Sequence, residues 1–206
     1  MKPTRIPLFP LEVVLLPGMA LPLHIFEPRY KVMIARCLNE AIEFGVILAA
    51  QKGMAGAGCT AEIVQKLKDY PDGRMDIMTE GRHVFELLEL IEEQEYYEAK
   101  VRYLVDETET VDPRQGSRLQ HLFQQVHALL AGQEWDAAGS DEEIPLAYRM
   151  SGVLPMELAE RQRLLEMRTE NARREFLFQW MTDFLPRLVH RQRVRERARG
   201  NGHALN

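Results

Sequence analysis

The chain has 206 residues, of which 46% are hydrophobic and 28% are charged, and its formal net charge is −5 at pH 7. This length and composition can bury a substantial core, as one domain or two small ones, and exclude a chain that is disordered overall. The acidity disfavours a general nucleic-acid binder, because a phosphate backbone requires a basic surface.

Two cysteines without a CxxC pair, and no secretory signal pattern at the start, predict a reducing, cytoplasmic environment. The apolar stretch from Val13 to Leu23 contains two prolines and is too short to span a membrane. We therefore expect a soluble protein without a membrane partner.

The segment from Arg5 to Tyr30, RIPLFPLEVVLLPGMALPLHIFEPRY, contains five prolines among large apolar residues. Proline fixes φ and removes a backbone donor, so the pattern predicts short extended pieces joined by bends. The uninterrupted run from Val13 to Leu16 predicts one strand, and LPLHIF predicts a second. Glu27 and Pro28 are typical of an N-cap and first helical residue, and the apolar spacing that follows predicts an amphipathic helix over about 28–41.

Short strands are predicted to follow this helix. EFGVILAA is typical of a buried strand, and a flexible glycine-rich loop, QKGMAGAGC, is expected after it. The remaining strands are predicted at 59–68, at RMDIMTEG after an Asp-Gly turn, at RHVFELLEL beyond Gly81, and at YYEAKVRYLV. Their regular spacing favours an antiparallel barrel or sandwich over a parallel sheet.

The composition changes at residues 106–117, where Pro113, Gly116 and a run of charges indicate a boundary. Beyond it the apolar spacing is helical, with stripes starting at Leu119 and in PLAYRMSGVL, PMELAERQRLLEM and TENARREFLFQWMTDFL. The four-residue spacing of Phe176, Trp180 and Phe184 predicts core packing. Pro186 is expected to kink or end the last helix, and an arginine-rich tail follows it.

The first half of the chain resembles the N-terminal domain of the Lon protease family, which also occurs as a stand-alone bacterial protein. IPLFPL, VLLPG, LPLHIFEPRY, MIARCL, FGVILA, GCTAEI and DGRMDIMTEGRHVFEL carry this resemblance, in the family's order. The resemblance implies an α+β fold: a PUA-like β pseudo-barrel with one embedded helix at about 4–110 and a C-terminal helical subdomain at about 116–199. Residues 200–206 are expected to be a flexible tail.

Two sequence patterns could be mistaken for enzymatic motifs. GMAGAGCT at residues 53–60 has Walker A spacing, but Cys59 stands where the phosphate-binding lysine is required, and a strand is predicted after it. The three serines lie outside a G-x-S-x-G motif. Lon proteolysis uses a serine followed by a lysine, whereas here Lys100 is the last lysine and precedes every serine. We therefore expect neither ATPase nor protease activity.

The sequence predicts no metal site and no cofactor. The six histidines form no HExxH motif, and His121 and His127 lie on different faces of their helix. The carboxylates from Glu86 to Asp112 are spread along strands and a linker, as expected for a solvated acidic face. His24, between two apolar residues, is expected to be buried and bonded to the backbone. Glu27 and Arg29 are expected to pair or cap where the chain enters the helix.

These features predict a non-catalytic module that recognises unfolded or extended polypeptides, as the resemblance to the Lon substrate-recognition domain implies. One alternative is an adaptor or regulator that docks on a separate protease, chaperone or other machine. A second alternative is RNA binding by the PUA-like architecture, which the acidity disfavours and the arginine-rich tail keeps open.

A groove beside a proline-interrupted strand is the expected binding place, because unpaired backbone groups and apolar side chains occur there together. Its candidate contacts lie between Leu8 and Phe26 and are Phe9, Leu11, Met19, Leu21 and Phe26. Burial in the core is the preferred expectation for Phe9 and Phe26. Met19 and Leu21, beside the Pro17-Gly18 turn, are expected to reach the surface.

Overall fold

The computed structural model describes residues 2–50, 53–110, 112–133, 135 and 143–201, without the side chains of residues 195–201. These residues form six strands: β1 (Arg5–Leu11), β2 (Ala20–Ile25), β3 (Phe44–Ala50), β4 (Gly53–Asp69), β5 (Met75–Ile91) and β6 (Glu98–Tyr103). The same described residues form five helices: α1 (Pro28–Glu40), α2 (Pro113–Ala131), α3 (Leu146–Ser151), α4 (Leu158–Glu166) and α5 (Glu170–Asn201). No described helix is both long enough and apolar enough to cross a membrane.

The strands form one sheet in the order β2-β5-β4-β3-β1-β6, and β5 pairs with β6 as well. This additional pairing closes β1, β3, β4, β5 and β6 into a ring, while β2 lies beside the first half of β5. The strands precede the helices of the second half, with α1 embedded among them. The predicted α+β class, a barrel-like sheet followed by helices, is confirmed.

One pair of strands departs from the expected antiparallel order. β1 and β3 are parallel, with Leu8 opposite Gly45 and Leu11 opposite Leu48. A parallel pair needs a long crossover between its strands, and β2 with α1 supplies it. The other paired strands in the described residues are antiparallel.

The prediction of a strand at Val13–Leu16 was wrong. These residues have no strand hydrogen bonding, although Val14, Leu15 and Leu16 are buried. The first strand is instead β1, which contains Pro7 and Pro10 and pairs with β6 at one end and β3 at the other. Burial alone therefore produced the apolar run, because a buried loop segment needs the same side chains as a buried strand.

Two glycine predictions were also wrong, for one physical reason. Residues 53–58, expected to be a flexible loop, belong to β4, and Gly81, expected to separate two strands, lies inside β5. A Cβ atom at Gly58 would lie 2.4 Å from the carbonyl oxygen of Val46. At Gly81 it would lie 2.2 Å from the carbonyl oxygen of Leu16. Both glycines allow another backbone segment to approach the strand closely.

Helix α1 begins and ends close to the predicted limits. Glu27 is its N-cap with extended dihedral angles, and Pro28 is its first residue. The Glu27 side chain does not cap the helix; it accepts a hydrogen bond from Arg29 at 2.9 Å instead. Ala41 ends the helix in the left-handed conformation, with φ of 50°. The buried face of α1 comprises Tyr30, Met33, Ile34 and Cys37.

Contacts divide the chain into two compact units. The strand unit comprises Met1–Glu107 with Asp141–Arg168, so it includes α3 and α4, and the helical unit comprises Thr108–Ser140 with Thr169–Asn206. A core cluster of the strand unit lies inside the ring and contains Ile6, Leu8, Ile47, Phe85, Ala99 and Val101. The domain limits expected from the sequence, 4–110 and 116–199, remain predictions.

In the helical unit, the buried residues of α2 are Gly116, Leu119, Phe123 and Val126, and those of α5 include Leu177, Met181 and Leu188. Trp180 and Phe184 stack with ring centroids 4.7 Å apart but are only half-buried, as is Phe176. Pro186 was expected to kink or end the helix; an end there is wrong, because α5 continues through it to Asn201, and a kink stays a prediction. Residues 202–206 of the expected flexible tail lie outside the described residues.

Candidate functional site

Strand β2 has one paired edge and one free edge in the described part of the chain. Its paired edge runs along β5, from Ala20 opposite Glu80 to Ile25 opposite Met75. It stands at the end of the strand order, and Pro22 lies at its centre. A free edge offers backbone N–H and C=O groups to another extended chain.

The register shows which backbone groups of β2 point away from β5. Gly81 N–H donates to the Met19 carbonyl at 3.0 Å, and the Gly18 N–H donates to the Gly81 carbonyl at 2.8 Å, so both backbone groups of residue 81 face the chain at the start of β2. Pair types alternate in an antiparallel ladder. The backbone groups of Ala20, Pro22 and His24 therefore point to the free edge, where the missing N–H of Pro22 leaves the β5 ladder intact.

An exposed aromatic cluster lies at the end of β2. Phe26 is 58% exposed, and its ring stacks on His24 with centroids 5.9 Å apart. Tyr70 meets His24 edge to face at 5.8 Å. Two cations lie over the Tyr70 ring, the Lys68 ammonium at 4.5 Å and the Arg74 guanidinium at 5.0 Å. We call these five residues the aromatic cluster.

Asp76 on β5 holds this cluster together. Its carboxylate is 2.5 Å from His24 Nδ1 and accepts a 2.9 Å hydrogen bond from the Tyr70 hydroxyl. These bonds, from His24 first and then Tyr70, lower the pKa of Asp76 below its usual range. The carboxylate therefore stays ionised and fixes the two rings.

His24 was expected to be buried, and that expectation was wrong. It is exposed on the free edge and bonds to a side chain across the strands. Along β2 the exposed residues alternate, as Ala20, Pro22 and His24, with the more buried Leu21 and Leu23. The period of two around Pro22 was a sequence signal that would have placed His24 on the outer face.

The five predicted contact residues do not share one surface. Phe9 is buried as expected and stacks on Tyr30 with centroids 4.0 Å apart. Leu11 and Leu21 are half-buried, and so is Met19, whose Sδ lies 3.3 Å from Nη1 of Arg161. The expected burial of Phe26 was wrong: of the five it is the most exposed, because it follows the last residue of an edge strand.

The sequence led us to expect that the carboxylates from Glu86 to Asp112 are solvated, and for Glu98 that expectation was wrong. Glu98 is buried, and it accepts hydrogen bonds from Arg5 at 2.5 Å and from Arg36 at 2.6 Å. Arg36 also donates to the Tyr96 hydroxyl at 3.1 Å. Burial raises the pKa of Glu98, but the bonds from Arg36 and Arg5 outweigh it, and the net pKa is lowered. The cluster joins β1, α1 and β6.

The cysteine thiols of the described residues are buried, and the hydroxyl groups of Thr60 and Ser151 are buried and hydrogen-bonded. Cys37 and Cys59 are both buried. Burial raises the pKa of Cys37 to about 12, and it also raises the pKa of Cys59. The Thr60 hydroxyl accepts a hydrogen bond from the His83 N–H at 3.0 Å, and the buried Ser151 hydroxyl donates to the Tyr148 carbonyl at 2.9 Å. No cluster of three or more metal-binding side chains occurs in the described ranges.

Comparisons with known proteins agree with this architecture. The family model for the substrate-binding domain of the ATP-dependent protease La (LON) matches residues 5–183. The Lon protease of Escherichia coli K12 is 29% identical over 216 residues, which cover 95% of this chain and 27% of that protein. The Lon protease of Parabacteroides distasonis is 33% identical over 110 residues, 49% of this chain and 13% of that protein.

Solved structures show the same fold. The crystal structure of a Lon N-terminal domain protein from Xanthomonas campestris has a TM-score of 0.68 at 27% identity and covers 86% of this chain and 99% of that chain. The N-terminal domain of the Mycobacterium avium complex Lon protease has a TM-score of 0.63 at 17% identity, covering 87% and 98%. These comparisons define a mixed α+β domain of the Lon N-terminal type.

The family model covers most of the chain, and the chain therefore belongs to the Lon substrate-binding domain family. It spans about a quarter of the length of the first curated relatives it matches.

Proposed function

We propose that this protein is a non-catalytic module that recognises extended segments of unfolded polypeptides in the cytoplasm. Membership in the Lon substrate-binding family supports the class of ligand. The observation that carries the proposal is the edge of β2 that no other described strand pairs with, beside the exposed ring of Phe26.

An extended client adds to this edge as another strand. The backbone of Ala20 and His24 supplies donors and acceptors, and Pro22 supplies an acceptor alone. Client side chains on the outer face then lie against Pro22, His24 and Phe26, which are all exposed. Because main-chain hydrogen bonds depend little on the client's side chains, the edge of β2 can bind many different sequences.

Absence of catalysis is part of the proposal. The Walker-like stretch lies in strand β4, and its Thr60 hydroxyl is buried and bonded to His83. Ser151 is buried as well and bonded within its own helix turn. The purified protein is expected neither to hydrolyse ATP nor to cleave unfolded casein, and Thr60→Ala and Ser151→Ala are expected to change neither result.

The test is fluorescence anisotropy with a labelled unfolded peptide of mixed apolar sequence. Affinity in the micromolar range or poorer is expected, because ordering a disordered client opposes binding. Phe26→Asp should weaken binding about tenfold or more by placing a charge on the contact surface. Val105→Asp is the matched control, since Val105 is 78% exposed but lies after β6, away from the β2 edge.

Backbone pairing is tested separately at Pro22. Pro22→Ala restores a backbone N–H on the free edge and should increase the affinity for the peptide several-fold. A peptide N-methylated at alternate residues cannot form the full set of backbone hydrogen bonds, so its affinity should not increase with this variant. Circular dichroism checks that each variant keeps its fold. Equal binding by the wild type, Phe26→Asp and Pro22→Ala would remove the β2 edge as the site.

A further inference from the structure

An open apolar groove lies in the helical unit, beside the contact between α2 and α5. Its volume is about 540 Å³, which is within the range of about 300–1,000 Å³ for ligand sites. Residues from both helices line it: Ser117, Arg118, His121, Leu122, Phe178, Thr182, Leu185 and Pro186. The groove therefore requires a mainly apolar ligand.

Arg118 supplies a positive charge at this groove. Its guanidinium carbon lies 4.8 Å from the centroid of the Phe178 ring. None of the ion pairs found among the described residues includes Arg118, and its side chain is exposed. A guanidinium stacked on an aromatic ring keeps its N–H edge open for a carboxylate, which it binds with two hydrogen bonds.

Pro186 leaves a free backbone acceptor on the α5 side of the groove. Proline has no N–H, so the carbonyl of Thr182, four residues earlier in α5, lacks its usual helical donor. The Thr182 hydroxyl donates to the Phe178 carbonyl at 2.8 Å, so it does not replace the missing N–H donor to the Thr182 carbonyl. Phe178 and Thr182 are one helical turn apart in α5, and both line the groove together with Arg118.

We infer that this groove binds the C-terminal residue of a polypeptide that ends in an apolar side chain. Its carboxylate pairs with Arg118, its backbone N–H donates to the Thr182 carbonyl, and its side chain packs on Phe178, Leu122 and Leu185. One terminal residue carries all three groups, whereas a fatty carboxylate lacks the N–H. The site stands independently of the β2 edge, because its residues all belong to the helical unit.

The first experiment compares labelled hexapeptides with C-terminal leucine by fluorescence anisotropy on the full chain. The free carboxylate should bind at least tenfold more tightly than the C-terminal amide, since hydrogen bonds between charged groups are the stronger class. Arg118→Gln should lower affinity for the free acid to that for the amide. Arg191→Gln, which changes an exposed arginine of α5 that does not line the groove, is the matched control and should preserve the difference.

The second experiment uses Pro186→Ala, which gives the Thr182 carbonyl a helical donor. This variant should melt at a higher temperature, because an interior proline destabilises a helix, yet bind the free-acid peptide more weakly. A depsipeptide that replaces the last N–H by oxygen should bind the wild type and Pro186→Ala equally. Weaker binding by a more stable protein separates this effect from unfolding.

Four results would overturn the inference. Equal affinities for acid and amide would exclude carboxylate recognition, and full binding by Arg118→Gln would exclude this cation. Dodecanoate that binds while the leucine peptide does not compete would identify a fatty-carboxylate site instead. Loss of peptide binding in Phe26→Asp alone, with Arg118→Gln unaffected, would place all binding at the β2 edge.

Discussion

Glu98 shows how one buried charge can join three elements. The carboxylate lies between the guanidinium groups of Arg5, from β1, and Arg36, from α1. Its side chain is 5% exposed, while those of the two arginines are 46% and 38% exposed. Solvent screens the arginine side of each pair, so the cost of breaking the cluster is smaller than for a fully buried pair.

Glu98→Gln is expected to lower the free energy of unfolding at pH 7 by about 2 kcal/mol, since the three charge-assisted hydrogen bonds from Arg5 and Arg36 are weakened. The folded-state pKa of Glu98 lies below its ordinary value of 4.5. The stabilisation is therefore complete above about pH 4.5 and is lost as the pH falls through the folded-state pKa. Urea unfolding should show a smaller difference in the free energy of unfolding between the wild type and Glu98→Gln at pH 3 than at pH 7.

Glu89→Gln is the control for this prediction, because Glu89 is exposed and lies on β5 next to a bulge. It should change the free energy of unfolding by less than about 0.5 kcal/mol at either pH. A difference between wild type and Glu98→Gln that stays constant from pH 7 to pH 3 would contradict the assigned ionisation.

At the scale of elements, Gly81 is the position where β5 tolerates no side chain. A Cβ atom there would meet the Leu16 carbonyl at 2.2 Å and the Leu15 side chain at 3.1 Å. Gly81→Ala should therefore destabilise the fold by about 3 kcal/mol, the upper end of overpacking costs. Gly56→Ala, in β4, has nothing within 4 Å of the new Cβ and should be neutral or slightly stabilising.

Chemical unfolding of both alanine variants measures this difference directly. If Gly81→Ala were as stable as Gly56→Ala, the buried segment before β2 would not approach β5 as closely as the backbone indicates.

The elements that the sequence predicted correctly were those with local signals. Glu27 and Pro28 mark the start of α1, and the 3.6-residue spacing of apolar residues marks α2, α4 and α5. The errors at Gly58 and Gly81 have a non-local cause, because each glycine accommodates a backbone segment that is distant in the sequence. The sequence next to the glycine does not indicate such a contact.

The candidate site was partly predictable for the same reason. A proline-interrupted edge strand follows from LPLHIF alone, since Pro22 must point away from a paired neighbour. The partners of His24 do not follow, because Tyr70 and Asp76 reach it only through the pairing of β2 with β5. The continuation of α5 through Pro186 was likewise hidden, since tertiary context along a helix can outweigh the local cost of a proline.

For the whole molecule, charge is distributed unevenly between the two units. The strand unit contains 16 basic and 23 acidic residues, and the helical unit contains 10 basic and 8 acidic residues. Six of those basic residues are arginines between positions 187 and 199. The charge that attracts nucleic acid is thus confined to the end of the chain.

Binding of single-stranded RNA is therefore expected to be weak, non-specific and steeply reduced by salt. Replacing Arg195, Arg197 and Arg199 together by glutamine should abolish what remains at about 150 mM salt, as measured by filter retention. Arg102→Gln, in the strand unit, is the control and should change little. Tight, sequence-selective binding that survives the triple substitution would require an RNA site elsewhere.

The gap that Pro22 leaves at the β2 edge also bears on self-association. An edge with a full set of donors can act as a template for further copies of the same strand, and repeated addition produces fibres. Pro22 interrupts that repetition, because a strand that lacks its central N–H holds one short partner but propagates poorly. At high concentration, Pro22→Ala should therefore form aggregates that bind thioflavin, whereas the wild type should not. Pro22 would then both limit the affinity for clients and prevent self-association.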